Sequence, residues 1–212
     1  MSKITVQYID HMGSDKSVVN AARVSFSKDN SEEFTSADSK LISYLANHGH
    51  WSPFAHTTIQ FKISAPIFIA RQLVKHQVGG VWNEVSRRYV SYEPTLFTPS
   101  EWRGKPQNAK QGSTGIIEEQ EEAFSLLEEH HEKCIKTYND LLSMGVCPEQ
   151  ARIVLPLSSM TDWYWTGSLM FWSRVCKQRM DSHAQQEASE VAILISEHCK
   201  KLFPVSWDAL QK

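Results

Sequence analysis

Between residues 57 and 80 the hydrophobic pattern changes period, and that change limits the folds open to the chain. In TTIQFKISA, Ile59, Phe61 and Ile63 alternate with polar neighbours, the two-residue period of a strand with one buried face. Pro66 then suits the first turn of a helix, PIFIARQLVKHQ, which the pair Gly79-Gly80 ends. Similar alternation marks ITVQYID at the start as a strand, and DWYWTG and RRYVSYE also read as strands. Helices are expected over Lys16 to Val24, after Ser14 or Asp15, and in SADSKLISYLANHGHWSP, where Leu41, Ile42, Tyr44 and Leu45 precede Gly49 and Pro53. A long helix is expected from Gly115 to Gly145, with Leu126, Leu127 and Ile135 on its apolar stripe and an acidic, solvated face. Others open at Pro148, run through SLMFWSRVCKQRM, and extend from a capping box at Ser182 and Gln185 to about Leu202. Residues 94 to 115, with Pro94, Pro99 and Pro106, read as a mobile loop. The architecture expected is α+β, a small mixed or antiparallel sheet beside long helices, with residues 1 to 212 as a single domain.

A chain of 212 residues can bury a substantial core. Its net charge of −2 argues against general nucleic-acid binding, which needs a basic balance. Cys134, Cys147, Cys176 and Cys199 form no CxxC pair, so a reducing compartment fits better than a disulfide framework. With no signal-peptide core at the start and no apolar run of membrane-spanning length, a cytoplasmic location without membrane attachment is expected.

Against this slightly acidic background, RQLVKHQVGGVWNEVSRRYV gathers Arg71, Lys75, His76, Arg87 and Arg88 around a glycine bend. Arg71 and Lys75 share a helix face at i, i+4. Beyond the glycines, Ser86 offers a hydroxyl, and Arg87 and Arg88 offer guanidinium groups, strongly preferred phosphate partners. In a strand only one of that pair faces inward. The cluster reads as a pocket for a small anionic ligand, with exposed surface charge as the alternative. Neither GxxxxGK[ST] nor GxGxxG occurs, which excludes the two commonest nucleotide loops.

The same stretch resembles the signature of flavin-dependent thymidylate synthases, Arg-His-Arg, seven residues and Ser, then Arg-Tyr. AARVSF (21–26), HGHWSPFAH (48–56), APIFIARQ (65–72), ARIVLPL (151–157) and RMDSHAQ (179–185) resemble further family landmarks in family order. The resemblance implies the fold of that family and conversion of dUMP to dTMP. FAD would be the flavin, with methylene-tetrahydrofolate as carbon donor and NADPH as reductant, in a homotetramer. It places Gln72, Lys75, Glu84, Ser86, Arg87, Arg88, Arg152 and Arg179 around dUMP. It places Ser25, Ser52, Lys75, His76, Gln77, Glu84, Arg174 and His183 around FAD. Arg152, Arg179 and His50 become the candidate catalytic residues: the arginines approach the pyrimidine, where a guanidinium stabilises developing negative charge, and His50 borders flavin and folate. Free amides at the Ser182–Gln185 helix start would face polar ligand groups. Lys75-His76-Gln77 stands where Arg-His-Arg is usual, and eight residues rather than seven separate Gln77 from Ser86, an extra residue that Gly79-Gly80 could absorb.

Other readings compete. Arg152, within an apolar run, could be a buried structural cation paired with a carboxylate. Cys147 precedes a proline-started helix and could act as a nucleophile, although a small apolar filler is the better default. His48, His50, His130, His131 and Cys134 offer metal donors without HExxH or paired-cysteine spacing, and no metal is expected. A non-catalytic nucleotide- or flavin-binding protein of the same fold is the remaining alternative.

Overall fold

The computed structural model describes residues 3–27, 33–107 and 112–212. β1 (Thr5–Met12) leads into α1 (Asp15–Arg23) and α2 (Ser36–Asn47). β2 (Thr58–Pro66) then passes straight into α3 (Ile67–Leu73), the period change of the sequence realised as one strand-to-helix junction. After it come β3 (Gly80–Glu84), a small hairpin of β4 (Arg103–Gly104) and β5 (Thr114–Ile116), and the long α4 (Gln120–Ser143). The short α5 (Pro148–Ala151), β6 (Met160–Ser168), α6 (Leu169–Arg179), α7 (Gln186–Leu202) and α8 (Pro204–Gln211) complete the chain. The main sheet has the order β1-β2-β6-β3, and every neighbouring pair is antiparallel. The α+β expectation is met, with a small antiparallel sheet beside long helices.

Alternation decides which face of this sheet is covered. Ile59, Phe61, Ile63 and Ala65 of β2 and Trp163 and Trp165 of β6 are buried, while Gln60, Lys62, Tyr164 and Thr166 on the other face keep contact with solvent. Against the buried face lie Ile69 and Leu73 of α3, Trp172 and Val175 of α6, and Val191, Ala192 and Ile195 of α7. Trp172 is central: its ring meets Phe61 and Trp165 edge-on at 5.0 Å each. Its indole N–H also donates to Ile59 O at 3.2 Å. Full burial of each such side chain is worth about 1.5–3 kcal/mol, so this aromatic layer is a major source of stability. α8 is fastened from the far end of the chain. The buried carboxylate of Asp15 accepts from Val205 N and Ser206 N at 3.0 and 2.8 Å, satisfying two amides that a helix start leaves free.

Several expectations are corrected. α3 stops at Leu73, because the chain turns at Val74-Lys75 and His76 N reaches back to Leu73 O at 3.0 Å. Lys75 therefore leaves the helix face shared with Arg71. RRYVSYE is not a strand: Tyr89 N bonds to Ser86 O at 3.0 Å and closes a turn. The strand falls instead on Gly80–Glu84, expected to be bend and loop, because those residues pair with β6. α4 begins at Gln120 rather than Gly115, since residues 114–116 are used by the hairpin. The capping box at Ser182 and Gln185 does not form. α7 begins at Gln186, after a turn in which Ala184 N bonds to Asp181 O at 2.9 Å. α8 was not expected, its eight residues being too short to show a period. In the expected loop, 94–115, Leu96 bridges Ser159 and the hairpin forms; residues 108–111 lie outside the described residues. Among the described residues no helix is long and apolar enough to cross a membrane.

The position of β3 rests on two glycines. Gly79 turns the chain at φ +88°, a backbone region that side chains disfavour. Gly80 then sits directly opposite Gly167 of β6, and the Phe171 ring covers both. A Cβ on Gly80 would stand 2.5 Å from Phe171 Cζ, and one on Gly167 2.1 Å from Cδ1. Gly80→Ala is therefore expected to destabilise the fold by about 1–3 kcal/mol through overpacking. Adding Phe171→Leu should return part of that loss, as read from urea unfolding midpoints; a single variant as stable as the parent would remove the glycine pair from this role.

Candidate active site

The sequence-predicted residues gather in three places. The first is a cleft of about 700 Å³ between the end of β3, the turn that follows it, and the α5 region, lined by Glu84, Ser86, Arg87, Arg88 and Arg152. β3 delivers Glu84 here with its carboxylate already held: Thr161 Oγ1 donates to it at 2.9 Å and Trp82 Nε1 at 3.3 Å. Ser86 Oγ accepts from Arg88 N at 3.4 Å and Arg88 Nε at 3.2 Å. Its lone pairs are thereby engaged and its own proton is left to donate outward. The two guanidiniums differ. Arg87 Nη1 donates to Tyr92 O at 2.6 Å, and its Cζ lies over the Tyr92 ring at 4.4 Å, so much of that group is spent on shaping the turn. Arg88 is exposed, with its terminal nitrogens making no hydrogen bond among the described residues. Arg152 is also exposed, which excludes the buried structural cation; Glu149 O accepts from its Nε at 3.1 Å.

The second place is a cleft of about 820 Å³ lined by Arg23, Ser25, Phe26, Tyr44, His50, Trp51 and Ser52, among others. Three large rings face solvent there, Phe26 at 74%, Trp51 at 55% and Tyr44 at 52% exposure, a placement that leaves flat apolar surface uncovered beside hydroxyls. One wall is set by charge. Fully buried Asp38, on α2, pairs with Lys16 Nζ at 2.9 Å and Arg23 Nη2 at 2.5 Å and so ties α1 to α2. Burial opposes its charge, but the Lys16 bond, the Thr35 backbone N–H and the Arg23 charge prevail and hold its pKa at about 2. The stability this carboxylate supplies is present above 3.8 and is lost as pH falls toward 2.

The third place brings together residues far apart in sequence. Half-buried Arg179, at the end of α6, donates from Nε to His76 Nε2 at 2.9 Å and from Nη1 to Gln72 Oε1 at 3.3 Å. Because Nε2 accepts, His76 is neutral, with its proton on Nδ1. Burial first, and the Arg179 charge second, lower its pKa below 6.5. Lys75 and Gln77 on either side are exposed.

Two candidates stand elsewhere. Arg174 is exposed and lines a cavity of about 400 Å³ with Lys177 and Lys212, apart from Arg179. His183 is exposed, its Nδ1 2.9 Å from Asp181 Oδ1. Its backbone N–H also goes to that carboxylate, so the free amides expected at Ser182–Gln185 are partly occupied. Cys147 is exposed too, which overturns the apolar-filler reading; its Sγ donates a long bond to Gln150 Oε1, at 4.0 Å. His130 Nε2 and Cys134 Sγ approach to 3.4 Å, and no group of three metal donors occurs among the described residues. The sequence reading overlooked Thr161, which holds Glu84, and the exposed rings of Phe26, Tyr44 and Trp51. It took Gln185 for a cap, whereas Gln185 Oε1 accepts from Gln72 Nε2 at 3.3 Å.

The family model described as thymidylate synthase complementing protein matches residues 7–205. The chain is 38% identical to a flavin-dependent thymidylate synthase of Thermosipho africanus, over 100% of this chain and 92% of that protein. It is 36% identical to one of Thermus thermophilus, over 100% of this chain and 77% of that protein. In structure it is similar to the UMP/dUMP methylase PolB from Streptomyces cacaoi bound with 5-Br dUMP. That match has a TM-score of 0.89 and 31% identity, covering 98% of this chain and 94% of the other.

The His76–Arg179 bond has a pH signature. The folded pKa lies below the unfolded value of 6.5, so the unfolded chain takes up the proton first as pH falls. The stabilisation is therefore complete above 6.5 and lost below it. His76→Asn should flatten this part of the stability curve, measured as urea midpoints at one pH on each side of 6.5. An unchanged slope would assign the pH dependence to another group.

Proposed function

The chain belongs to the flavin-dependent thymidylate synthase family, and we propose that it converts dUMP to dTMP in a site built from the three clusters described above. FAD is its flavin, methylene-tetrahydrofolate its carbon donor and NADPH its reductant. The observation that carries the substrate assignment is the convergence of Ser86, Arg88 and Arg152 on one cleft that Glu84 also lines. Ser86 supplies a hydroxyl proton and Arg88 a guanidinium fork, the donor set that a phosphate monoester needs. Lys75 and Arg87 add positive charge. The Glu84 carboxylate only accepts hydrogen bonds, which suits a sugar hydroxyl or ring N–H rather than phosphate.

Methylation at carbon 5 requires electron density to build on the pyrimidine. Arg179, oriented by His76 and Gln72, and Arg152, held at Nε, present guanidinium N–H groups that stabilise such charge on the uracil carbonyls. The second cleft fits a flavin: exposed rings match a flat ligand face, Ser25 and Ser52 offer hydroxyls, and His50 borders the place where folate would meet it. When bound, FAD supplies the hydride chemistry, and this route needs no enzyme nucleophile, so Cys147 has no role. His76, Gln77, Arg174 and His183 are the further FAD contacts of this reading. The three clusters share no lining residue within one chain, and a homotetramer that completes each site from several subunits accounts for that separation. Exposed Val78, Tyr89 and Ile153 supply apolar area for such contacts. One continuous core supports a single domain, and four free thiols support a cytoplasmic location.

Purified protein should be yellow, and NADPH should bleach it under anaerobic conditions. With dUMP and methylene-tetrahydrofolate added, dTMP should form, with UMP run in parallel. A coloured protein that makes no methylated product would favour the non-catalytic nucleotide-binding alternative. Arg179→Ala should lower dUMP turnover about 100-fold or more while the protein stays folded. Cys147→Ser should turn over like the parent; loss of dTMP with normal flavin content would restore the cysteine mechanism.

A further inference from the structure

A line of hydrogen bonds leads away from Arg179 through Gln72 to residues to which the reaction above gives no part. Arg179 Nη1 donates to Gln72 Oε1, and Gln72 Nε2 donates to Gln185 Oε1 at 3.3 Å. Gln185 Nε2 donates in turn to Glu187 Oε2 at 3.0 Å. The other oxygen of Glu187 accepts from Arg103 Nη2 at 2.5 Å, and Arg103 Nε donates to Ser113 Oγ at 3.0 Å across the β4–β5 hairpin. From Arg179 to Gln185 each donor points toward the Glu187 carboxylate, and Arg103 Nη2 meets it from the other side, a direction with a chemical cause. An ionised carboxylate is acceptor-only on both oxygens and so receives Gln185 from one side and Arg103 from the other with no proton of its own to place. Glu187 is buried; burial opposes its charge, yet the Arg103 guanidinium and the Gln185 amide overcome that and lower its pKa.

We propose that Glu187, Gln185 and Arg103 are positioning residues for the dUMP site, and that docking of the β4–β5 hairpin is what orients Gln72 and Arg179. This rests on the assignment of Gln72 and Arg179 to dUMP. An amide can present either its oxygen or its NH₂ group to a neighbour. The carboxylate decides for Gln185, Gln185 decides for Gln72, and Gln72 thereby turns its oxygen toward Arg179. With Oε1 of Gln72 and Nε2 of His76 as fixed acceptors, Arg179 keeps three of its five N–H bonds for a ligand. Should Gln185 flip, the reversal would pass along the line and set an NH₂ group against the guanidinium. Apart from the Trp102–Phe124 ring contact and the hydrogen bonds between Trp102 and Gln120, the hairpin strands are thinly covered. Thr114, Gly115 and Ile116 are exposed, and a cavity of about 270 Å³ lined by Phe68, Phe97, Trp102 and Leu127 lies against Arg103 and Glu187. The Arg103–Glu187 pair is the ion pair that joins hairpin to α7 among the described residues.

The test is dUMP binding by calorimetry to the purified protein, alongside kcat and KM. Glu187→Gln should weaken dUMP about tenfold and lower kcat/KM to match, with flavin content unchanged. Arg103→Met should do the same, Arg103→Lys should restore most of the affinity, and the Arg103→Met/Glu187→Gln double variant should be no weaker than either single one. Should Glu187→Gln fail to fold, Gln185→Leu breaks the line without touching the ion pair and must reproduce the loss. Parent-like dUMP affinity in folded Glu187→Gln or Gln185→Leu, or losses that multiply in the double variant, would overturn the proposal. Failure of the parent itself to bind dUMP would instead sink the assignment of the substrate site.

Discussion

One close contact determines where half of the site lies. The Phe171 ring covers Gly80 and Gly167 where β3 and β6 face each other, and neither position has room for a Cβ. Side chains alternate along a strand, so fixing Gly80 under that ring also fixes its neighbours. Trp82 follows on the same face, stacked on Trp163 at 4.4 Å, and Glu84 follows Trp82. A one-residue slip would send these side chains to the opposite face and carry Ser86 and Arg88 with them. The ring that enforces the register belongs to α6, whose other end presents Arg179. A single helix thus sets the register at one end and supplies a guanidinium at the other. Its start is fixed as well, since Phe171 N donates to Ser168 Oγ at 3.2 Å.

Charge is used in two ways. Where two elements must be held together, it is buried and paired: Asp38 with Lys16 and Arg23, Glu187 with Arg103. Each leaves a carboxylate ionised in spite of burial, because its partner and hydrogen bonds outweigh desolvation. Where a ligand is expected, cations are left exposed, as with Arg88 and Arg152 in the first cleft. A net charge of −2 conceals this division. The local arrangement, rather than the total, is what an anionic substrate meets.

Legibility in the sequence followed the range of each interaction. The strand at 57–65 and the helix at 36–47 were visible because hydrophobic periodicity is local and repeats within each; the helix ending at 202 was read from a capping signal and found with its start displaced to Gln186. β3 was not visible, because Gly80–Glu84 is a strand only through pairing with β6, far along the chain, Gly80 facing Gly167 and Glu84 facing Trp163. RRYVSYE failed for the complementary reason: its alternation had no partner strand, and Arg87 used the Tyr92 carbonyl to close a turn. α8 owes its start to Asp15, nearly two hundred residues earlier. At the site, residue types in ordered motifs were readable, while the division into three clusters depended on tertiary placement. The meeting of His76 with Arg179 had no counterpart in spacing.

That meeting also explains how the chain accommodates Lys75-His76-Gln77 where the family resemblance leads one to expect Arg-His-Arg. The side chains of Lys75 and Gln77 are exposed and make no hydrogen bond among the described residues, so their identity bears on a ligand and not on the fold. His76 is different. It closes the turn after α3 through its backbone and accepts from Arg179 through its ring, joining two elements that α6 would otherwise leave apart. Arginine at the middle position could not substitute, since a guanidinium has no acceptor to offer another guanidinium. The outer positions are therefore free to change ligand grip, while the central one is held by the geometry of Arg179. Lysine in place of the first arginine keeps the charge but gives up the bidentate fork; in the proposed site the weight of phosphate recognition would then fall on Ser86 and Arg88, which are already joined by hydrogen bonds from Arg88 N and Nε to Ser86 Oγ.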